Sequence, residues 1–251
     1  LLAGGGAAAL VNAGHTGAAM AASLFHLGRL PGVDRPAIAI PLPTRTGVCL
    51  VLDAGANAEV RPEHLLQFAR MGRIYAHAVF NIASPRVGLL NVGEERTKGT
   101  RVVQEAHALL EADPDLGFIG NVEGKDIPYG AADVVVCDGF VGNIVLKLAE
   151  GVSSALLDTL KQEVFTGWRG AVAGLLLRPA LRTVKARLDY AEYGGAPLLG
   201  VRGVSIIAHG RSDRRAIFNA IRAAADAVRR AVPERIAAAL AATPQECEAR
   251  A

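Results

Sequence analysis

The sequence predicts an α/β layered fold on a mostly parallel sheet. Short, continuous apolar runs bounded by turn residues alternate with longer stretches of helical spacing. The runs are apolar at successive positions, the pattern of strands buried on both faces. The 251 residues are 51% hydrophobic and 20% charged, which supports a sizeable core and excludes disorder over most of the length. Aromatics make up only 5%, so Val, Leu, Ile and Ala must fill that core.

The elements follow in chain order. Residues 1–11 are apolar, but no basic stretch precedes them and no cleavage site follows, so they are not read as a signal peptide. A helix is expected over Ala18–Leu27, after Thr16. Strands are expected at Ala37–Ile40 and Val48–Leu52. Only PLPTRTG separates them, too short for a crossover helix, so they should form a hairpin or an antiparallel edge. Arg61-Pro62 opens a helix over Glu63–Phe80, with Pro where its missing N–H costs nothing. Strand Arg86–Leu90 leads to helix Thr97–Leu110, and strand Asp133–Cys137 leads to helix Gly142–Val164. Val204–Ala208 is a further strand, and Ser212 can cap a helix over Asp213–Val228. The Ala-rich tail after Pro233 reads as a helix that frays toward Ala251.

Several chemistries are excluded by pattern. Neither G-x-G-x-x-G nor G-x-x-x-x-G-K-[ST] occurs, which weakens hydride transfer and ATP hydrolysis. The six histidines make no H-E-x-x-H or comparable pair, and no G-x-S-x-G elbow is present. Cys49, Cys137 and Cys247 are three cysteines at unrelated spacings, which fits a reducing compartment and no disulfide framework. Cys137 closes a strand and reads as core rather than as a nucleophile. The net charge of +3 is too mild to argue for nucleic acid. No apolar run reaches the length of a transmembrane helix.

Five turns carry the Gly, Asn and small polar residues that let a backbone approach a ligand. They are Asn12–Gly17, Asp53–Asn57, Asn91–Gly99, Asp138–Asn143 and His209–Asp213. One such turn is ordinary loop geometry; five at the same end of a sheet suggest an anion site, with phosphate the leading candidate. Lys98 stands in one of them near a helix start, where the helix dipole disfavours a cation. A ligand anion would compensate, and so would solvation beside Glu94 or Glu95. The segment Lys161–Leu188 holds six Lys/Arg against one Glu, with apolar stripes on either side of Arg178-Pro179. It suits an anionic membrane or an acidic partner, and equally a hairpin packed on the core or a second subunit.

These turns, in this order, resemble the PlsX family, the acyl-acyl-carrier-protein:phosphate acyltransferases of bacterial phospholipid synthesis. The matching stretches include AGHTGAAMAASLFHLGRLPGVDRPAIA, PLPTR, LDAGAN, RPEHLLQFARMG, PRVGLLNVGEE, FIGNVEG, ADVVVCDGFVGNIVLK, DYAEYGGAPLLGV and AHGRSD. The resemblance runs from about Val11 to about Arg229. It implies a Rossmann-like three-layer α/β/α sandwich, like isocitrate and isopropylmalate dehydrogenases, with a projecting helical hairpin at 161–188. It implies transfer of a fatty acyl group from acyl carrier protein to inorganic phosphate, without cofactor or metal. A phosphate acetyltransferase using a coenzyme A thioester, a non-catalytic membrane-peripheral scaffold and a decarboxylating dehydrogenase are the competing readings.

By residue matching, Lys98 and Asn143 are the expected catalytic pair, and Asn12, Gly14, His15, Thr16 and Gly17 the phosphate turn. His15 stands where the family often has Asn. Thr44, Arg45, Asn57, Asp138, Gly139, Gly142, His209 and Gly210 complete the expected phosphate and substrate contacts. Trp168, Leu175, Leu176, Arg178, Arg182 and Lys185 are expected to contact membrane or partner. The resemblance further implies a homodimer, a cytoplasmic enzyme peripherally bound to an anionic membrane, and contact with a downstream glycerol-3-phosphate acyltransferase. Family members begin with a strand and a Gly-Gly-Asp turn ahead of the position of Leu1, so the expectation is one α/β domain, 1–251, lacking that first part.

Overall fold

The computed structural model describes residues 1–164, 194–210 and 212–241, together with Val172, Gly174, Leu177 and Pro179. Eight strands form one sheet: β1 (Ala9–Asn12), β2 (Ala37–Pro43), β3 (Val48–Leu52), β4 (Val87–Asn91), β5 (Phe118–Glu123), β6 (Val134–Val136), β7 (Ala196–Leu199) and β8 (Val204–Ile207). Six α-helices accompany them among the described residues: α1 (Thr16–Leu27), α2 (Pro62–Phe80), α3 (Arg101–Glu111), α4 (Gly139–Val164), α5 (Arg214–Arg229) and α6 (Val232–Ala241). The strand order is β1-β8-β7-β2-β3-β6-β4-β5.

The sheet is parallel at both ends and antiparallel in the middle. β3, β6, β4 and β5 form one parallel block and β1 with β8 another. β2 and β7 join the blocks through three antiparallel pairings. The β2–β3 hairpin is therefore present, with Ala39 opposite Leu52 and Pro43 opposite Val48, but it lies at the centre of the sheet rather than at an edge. Its strands are buried on both faces because helices cover both.

Alternate strand residues feed two cores. Leu50, Leu52, Val134, Val136 and Ile206 pack with Leu65, Phe68 and Met71 of α2, Leu110 of α3, Ala224 of α5 and Ile236 of α6. Cys49, Val51, Val135, Ile38, Ile40 and Ile207 face the other way, against Ala19, Met20 and Leu24 of α1 and Val145 and Leu146 of α4. The core is aliphatic as composition requires; Phe68 is its largest fully buried side chain.

Three strands, β1, β5 and β7, escape the sequence reading, because ALVN, FIGNVE and APLL form no unbroken apolar run like that of β3. The helix expected from Thr97 begins instead at Arg101, because the Thr100 hydroxyl accepts from the Val103 N–H and caps it there. Lys98 thus precedes the helix instead of lying in its first turn. The Lys161–Leu188 hairpin, and with it Trp168, Leu175, Leu176, Arg178, Arg182 and Lys185, lies outside the described residues apart from the end of α4 and isolated positions; Cys247 lies outside them too. One segment of α4, Gly139–Leu160, is long and apolar enough to cross a membrane by length and composition, which corrects the expectation that no run qualifies. Lys147, Glu150 and Asp158 are the only charges in its 22 residues.

Candidate active site

The site is anchored by Asp53, which directly follows β3 and is fully buried. Its Oδ1 accepts from the N–H groups of Ile38, Gly55 and Ala56 at 3.0, 3.2 and 3.0 Å. Its Oδ2 accepts from the Asn57 N–H at 2.6 Å and the Asn57 Nδ2 at 2.8 Å. Burial pushes the carboxyl up from the ordinary aspartate range, and the bonds from Ala56, Asn57 and Ile38 pull against that shift. The Asn57 carbonyl in turn accepts from the Gly139 N–H at 2.7 Å, so one carboxylate holds the turn after β3 and, through it, the start of α4.

The join of turn and helix admits only glycine. A Cβ at Gly139 would lie 2.8 Å from the Asn57 backbone N and O. One at Gly142 would collide with the Asp53 carbonyl oxygen. Asp138 caps α4, its Oδ1 accepting from the Val141 N–H at 2.8 Å.

A cleft of about 430 Å³ opens beside this join, within the size range of small-molecule sites. Its floor is a sheet face at the antiparallel centre: Ile38 and Ile40 of β2, Ala196 of β7 and Ile207 of β8. Thr16, Ala208 and His209 line one side. Gly55 and Ala58 line the other, with Gly139, Phe140, Asn143, Leu146, Lys147 and Glu150 of α4. Positions 139, 143, 146/147 and 150 recur at helical spacing, so one stripe of α4 faces the cleft.

The expectation that all five turns leave one end of the sheet is not met. β1 and β8 run opposite to β3, β6 and β4, so the turns after them leave opposite ends. Turns from both blocks nevertheless meet, because the cleft lies across the central strands β2 and β7 that join them. Two helices begin at its rim, α1 at Thr16 and α4 at Gly139. The Thr16 and Phe140 N–H groups have no partner among the described residues. Two positive helix ends with open donors over an apolar floor are suited to an anion.

The expected residues divide. Thr16, Gly139, Asn143 and His209 line the cleft. Asn12, Gly14, Gly17 and Gly210 are not among its lining residues: the Asn12 carbonyl accepts from the Ala208 N–H at 2.8 Å, and a Cβ at Gly210 would lie 3.8 Å from the Ala13 carbonyl. His15 caps α1, its Nδ1 accepting from the Ala18 N–H at 3.3 Å. Asn57, Asp138 and Gly142 build the join behind the wall. Thr44 and Arg45 sit in the β2–β3 turn; the Arg45 N–H donates to the Pro128 carbonyl and its guanidinium lies 5.6 Å from the Tyr129 ring centroid. Lys98 is exposed in the turn after β4 and is not among the residues lining the cleft.

Sequence reasoning missed Lys147, Glu150 and the anchoring role of Asp53. The spacing Gly139-x3-Asn143-x3-Lys147 was the available signal. Cys137 is buried with its thiol pushed well up, and Cys49 is pushed up to about 12, so neither offers a thiolate.

A family model described as a fatty acid synthesis protein matches residues 1–235. The chain is 60% identical over 224 residues to the phosphate acyltransferase of Heliobacterium modesticaldum, covering 89% of this chain and 67% of that protein. It is 49% identical over 250 residues to that of Thermodesulfovibrio yellowstonii, covering 100% and 72%. Among solved structures, the EutD phosphotransacetylase from Staphylococcus aureus superposes with a TM-score of 0.61 at 17% identity, over 91% of this chain and 65% of that one. A phosphotransacetylase from Streptococcus pyogenes gives 0.61 at 18% identity, over the same shares. The chain thus spans about two thirds of the length of the proteins it matches, and at these identities the solved structures speak for the fold alone. With a family match over nearly its whole length and relatives this similar, the chain belongs to the PlsX family of fatty acid synthesis proteins.

Proposed function

We propose that this chain transfers a fatty acyl group from acyl carrier protein to inorganic phosphate, releasing acyl phosphate for phospholipid synthesis. The observation that carries the reading is the meeting of two helix N-termini over an apolar-floored cleft. An anion belongs at the rim and an acyl chain on Ile38, Ile40, Pro41 and Ile207. The names of the relatives support the same reaction.

In this reaction a phosphate oxygen attacks the thioester carbon, a C–O bond forms, and the C–S bond breaks with the thiolate leaving. Phosphate needs no covalent enzyme nucleophile. The protein holds it against the carbonyl, which removes an entropic barrier of several kcal/mol. The Asn143 amide donates to the developing oxyanion, where a lost donor costs about 10²–10³ in turnover. The resemblance pairs Lys98 with Asn143. From its exposed turn Lys98 takes part only when that turn approaches the cleft. Lys98→Ala tests this: a large fall in turnover with unchanged stability keeps Lys98 in the mechanism, and unchanged turnover removes it.

The deciding assay is acyl phosphate formation, trapped with hydroxylamine, from long-chain acyl carrier protein and phosphate. A second reading is a phosphate acetyltransferase acting on a coenzyme A thioester, an activity to which the two phosphotransacetylases are linked by fold alone. Acetyl-coenzyme A as the better donor would establish it.

The reading extends to a homodimer. Phe140, Ile144, Leu148, Val152 and Leu156 of α4 are 49–64% exposed, an apolar stripe that a second copy would cover. Peripheral attachment to an anionic membrane, docking of the downstream glycerol-3-phosphate acyltransferase and the wider kinship with isocitrate and isopropylmalate dehydrogenases rest on the sequence resemblance.

A further inference from the structure

We propose that Lys147 and Glu150 form the phosphate-selecting pair of the cleft, Lys147 binding the oxyanion and Glu150 admitting only an anion that still carries a proton. The inference rests on the anion-binding cleft described above.

The geometry begins with α4. Asn143 and Lys147 are one helical turn apart, and Glu150 follows at the next turn on the same cleft-facing stripe. Lys147 is the lysine that lines the cleft; Lys98 does not. An ammonium there adds a point charge to the cleft, about two turns along α4 from the helix end at Gly139.

Glu150 is the feature that a simple anion site does not explain. A carboxylate lining a phosphate cleft repels its ligand, unless it accepts a hydrogen bond from it. Glu150 Oε2 accepts from Lys147 Nζ at 3.2 Å, and its side chain is 24% exposed. Its Oε1 has no hydrogen-bond partner among the described residues. An anion held on Lys147 Nζ therefore comes within reach of a carboxylate oxygen that can accept a proton-bearing group. Near neutrality inorganic phosphate keeps at least one hydroxyl proton and sulfate keeps none. Phosphate can thus donate to Glu150, whereas sulfate meets an uncompensated negative charge. The Lys147–Glu150 pair also holds the ammonium on the cleft side of α4 before the anion arrives.

Two substitutions separate the two roles. Glu150→Gln keeps size and removes the charge, and its amide can donate to sulfate. Lys147→Met keeps the stem and removes the ammonium. Inorganic phosphate and sodium sulfate are titrated separately into the full chain by calorimetry, without an acyl donor. The unmodified chain should bind phosphate at least about tenfold tighter than sulfate, the scale of one charge-assisted hydrogen bond. Glu150→Gln should bring the two anions within about threefold of each other. Lys147→Met should weaken both about tenfold or more and keep the preference for phosphate. A Glu150→Gln protein that still prefers phosphate as strongly overturns the proposal, as does a Lys147→Met protein that binds phosphate undiminished. Equal binding of the two anions by the unmodified chain also overturns it. Acyl phosphate formation is measured alongside. Its absence in a chain that still selects phosphate would refute the acyltransferase reading and leave the anion pair standing.

Discussion

Replacing Asp53 by alanine should be among the most damaging single changes in the protein. The carboxylate accepts five hydrogen bonds, from four backbone N–H groups and the Asn57 side chain. Three of those donors belong to Ile38 and Asn57, which are buried and cannot turn to water. Each buried donor left without a partner costs about 1–3 kcal/mol, so taking the lower part of that range the three together give about 3–5 kcal/mol. That is a large share of the roughly 5–15 kcal/mol that stabilises a domain. Asp53→Asn keeps one oxygen for Ile38, Gly55 and Ala56 but turns an amide toward the two Asn57 donors, so it should cost about 2 kcal/mol. The assay is urea unfolding followed by far-ultraviolet circular dichroism, with the slope checked for constancy between variants. The expected order of stability is wild type, then Asn, then Ala. A loss under about 1 kcal/mol for Asp53→Ala, or equal losses for the two variants, would refute the view that this carboxylate holds the turn and the start of α4 together.

Three further outcomes follow from the same geometry. Gly142→Ala places a methyl against the Asp53 carbonyl, and overpacking against rigid backbone should cost about 3 kcal/mol, read as a lower urea midpoint. Asn143→Ala should lower acyl phosphate turnover about 10²-fold at saturating phosphate while leaving the melting temperature nearly unchanged, because its side chain faces the cleft rather than the core. His107 is buried with its ring 5.1 Å from that of Phe118, and burial lowers its pKa from the ordinary histidine value. The folded state thus resists protonation more than the unfolded chain, so its contribution is full above the unfolded histidine pKa and is lost as pH falls toward the lowered one. Melting temperatures between pH 7.5 and 5.5 should fall less steeply in His107→Gln than in the wild type.

Much of the fold is legible in the sequence, and the particular elements show why. The run Val48–Leu52 is apolar at every position because both faces of its strand are covered, and its bounds are read to the residue. Pro62 marks the first residue of α2, where proline belongs. The strands β1, β5 and β7 are not legible, since ALVN, FIGNVE and APLL lack the unbroken five-residue apolar run that marks β3. The site is legible in its turns and obscure in its walls. Gly139 and Asn143 stand out as turn residues, whereas Lys147 and Glu150 look like any solvated pair on a helix until the sheet is assembled beside them.

The sequence by itself determines the alternation of strand and helix, the aliphatic core, the glycine-rich turns and, through nine stretches in register, the family. All of these are properties of local pattern, and local pattern is written in neighbouring residues. Only the tertiary structure decides strand order and direction, because pairing is set by how buried faces fit across the chain. It places the β2–β3 hairpin at the centre, runs β1 and β8 against β3, and so brings turns from opposite sheet ends to one cleft. It assigns His15 to a cap and Asp53 to an anchor. It also separates two lysines that look alike in sequence: both are exposed, but Lys147 lines the cleft and Lys98 does not.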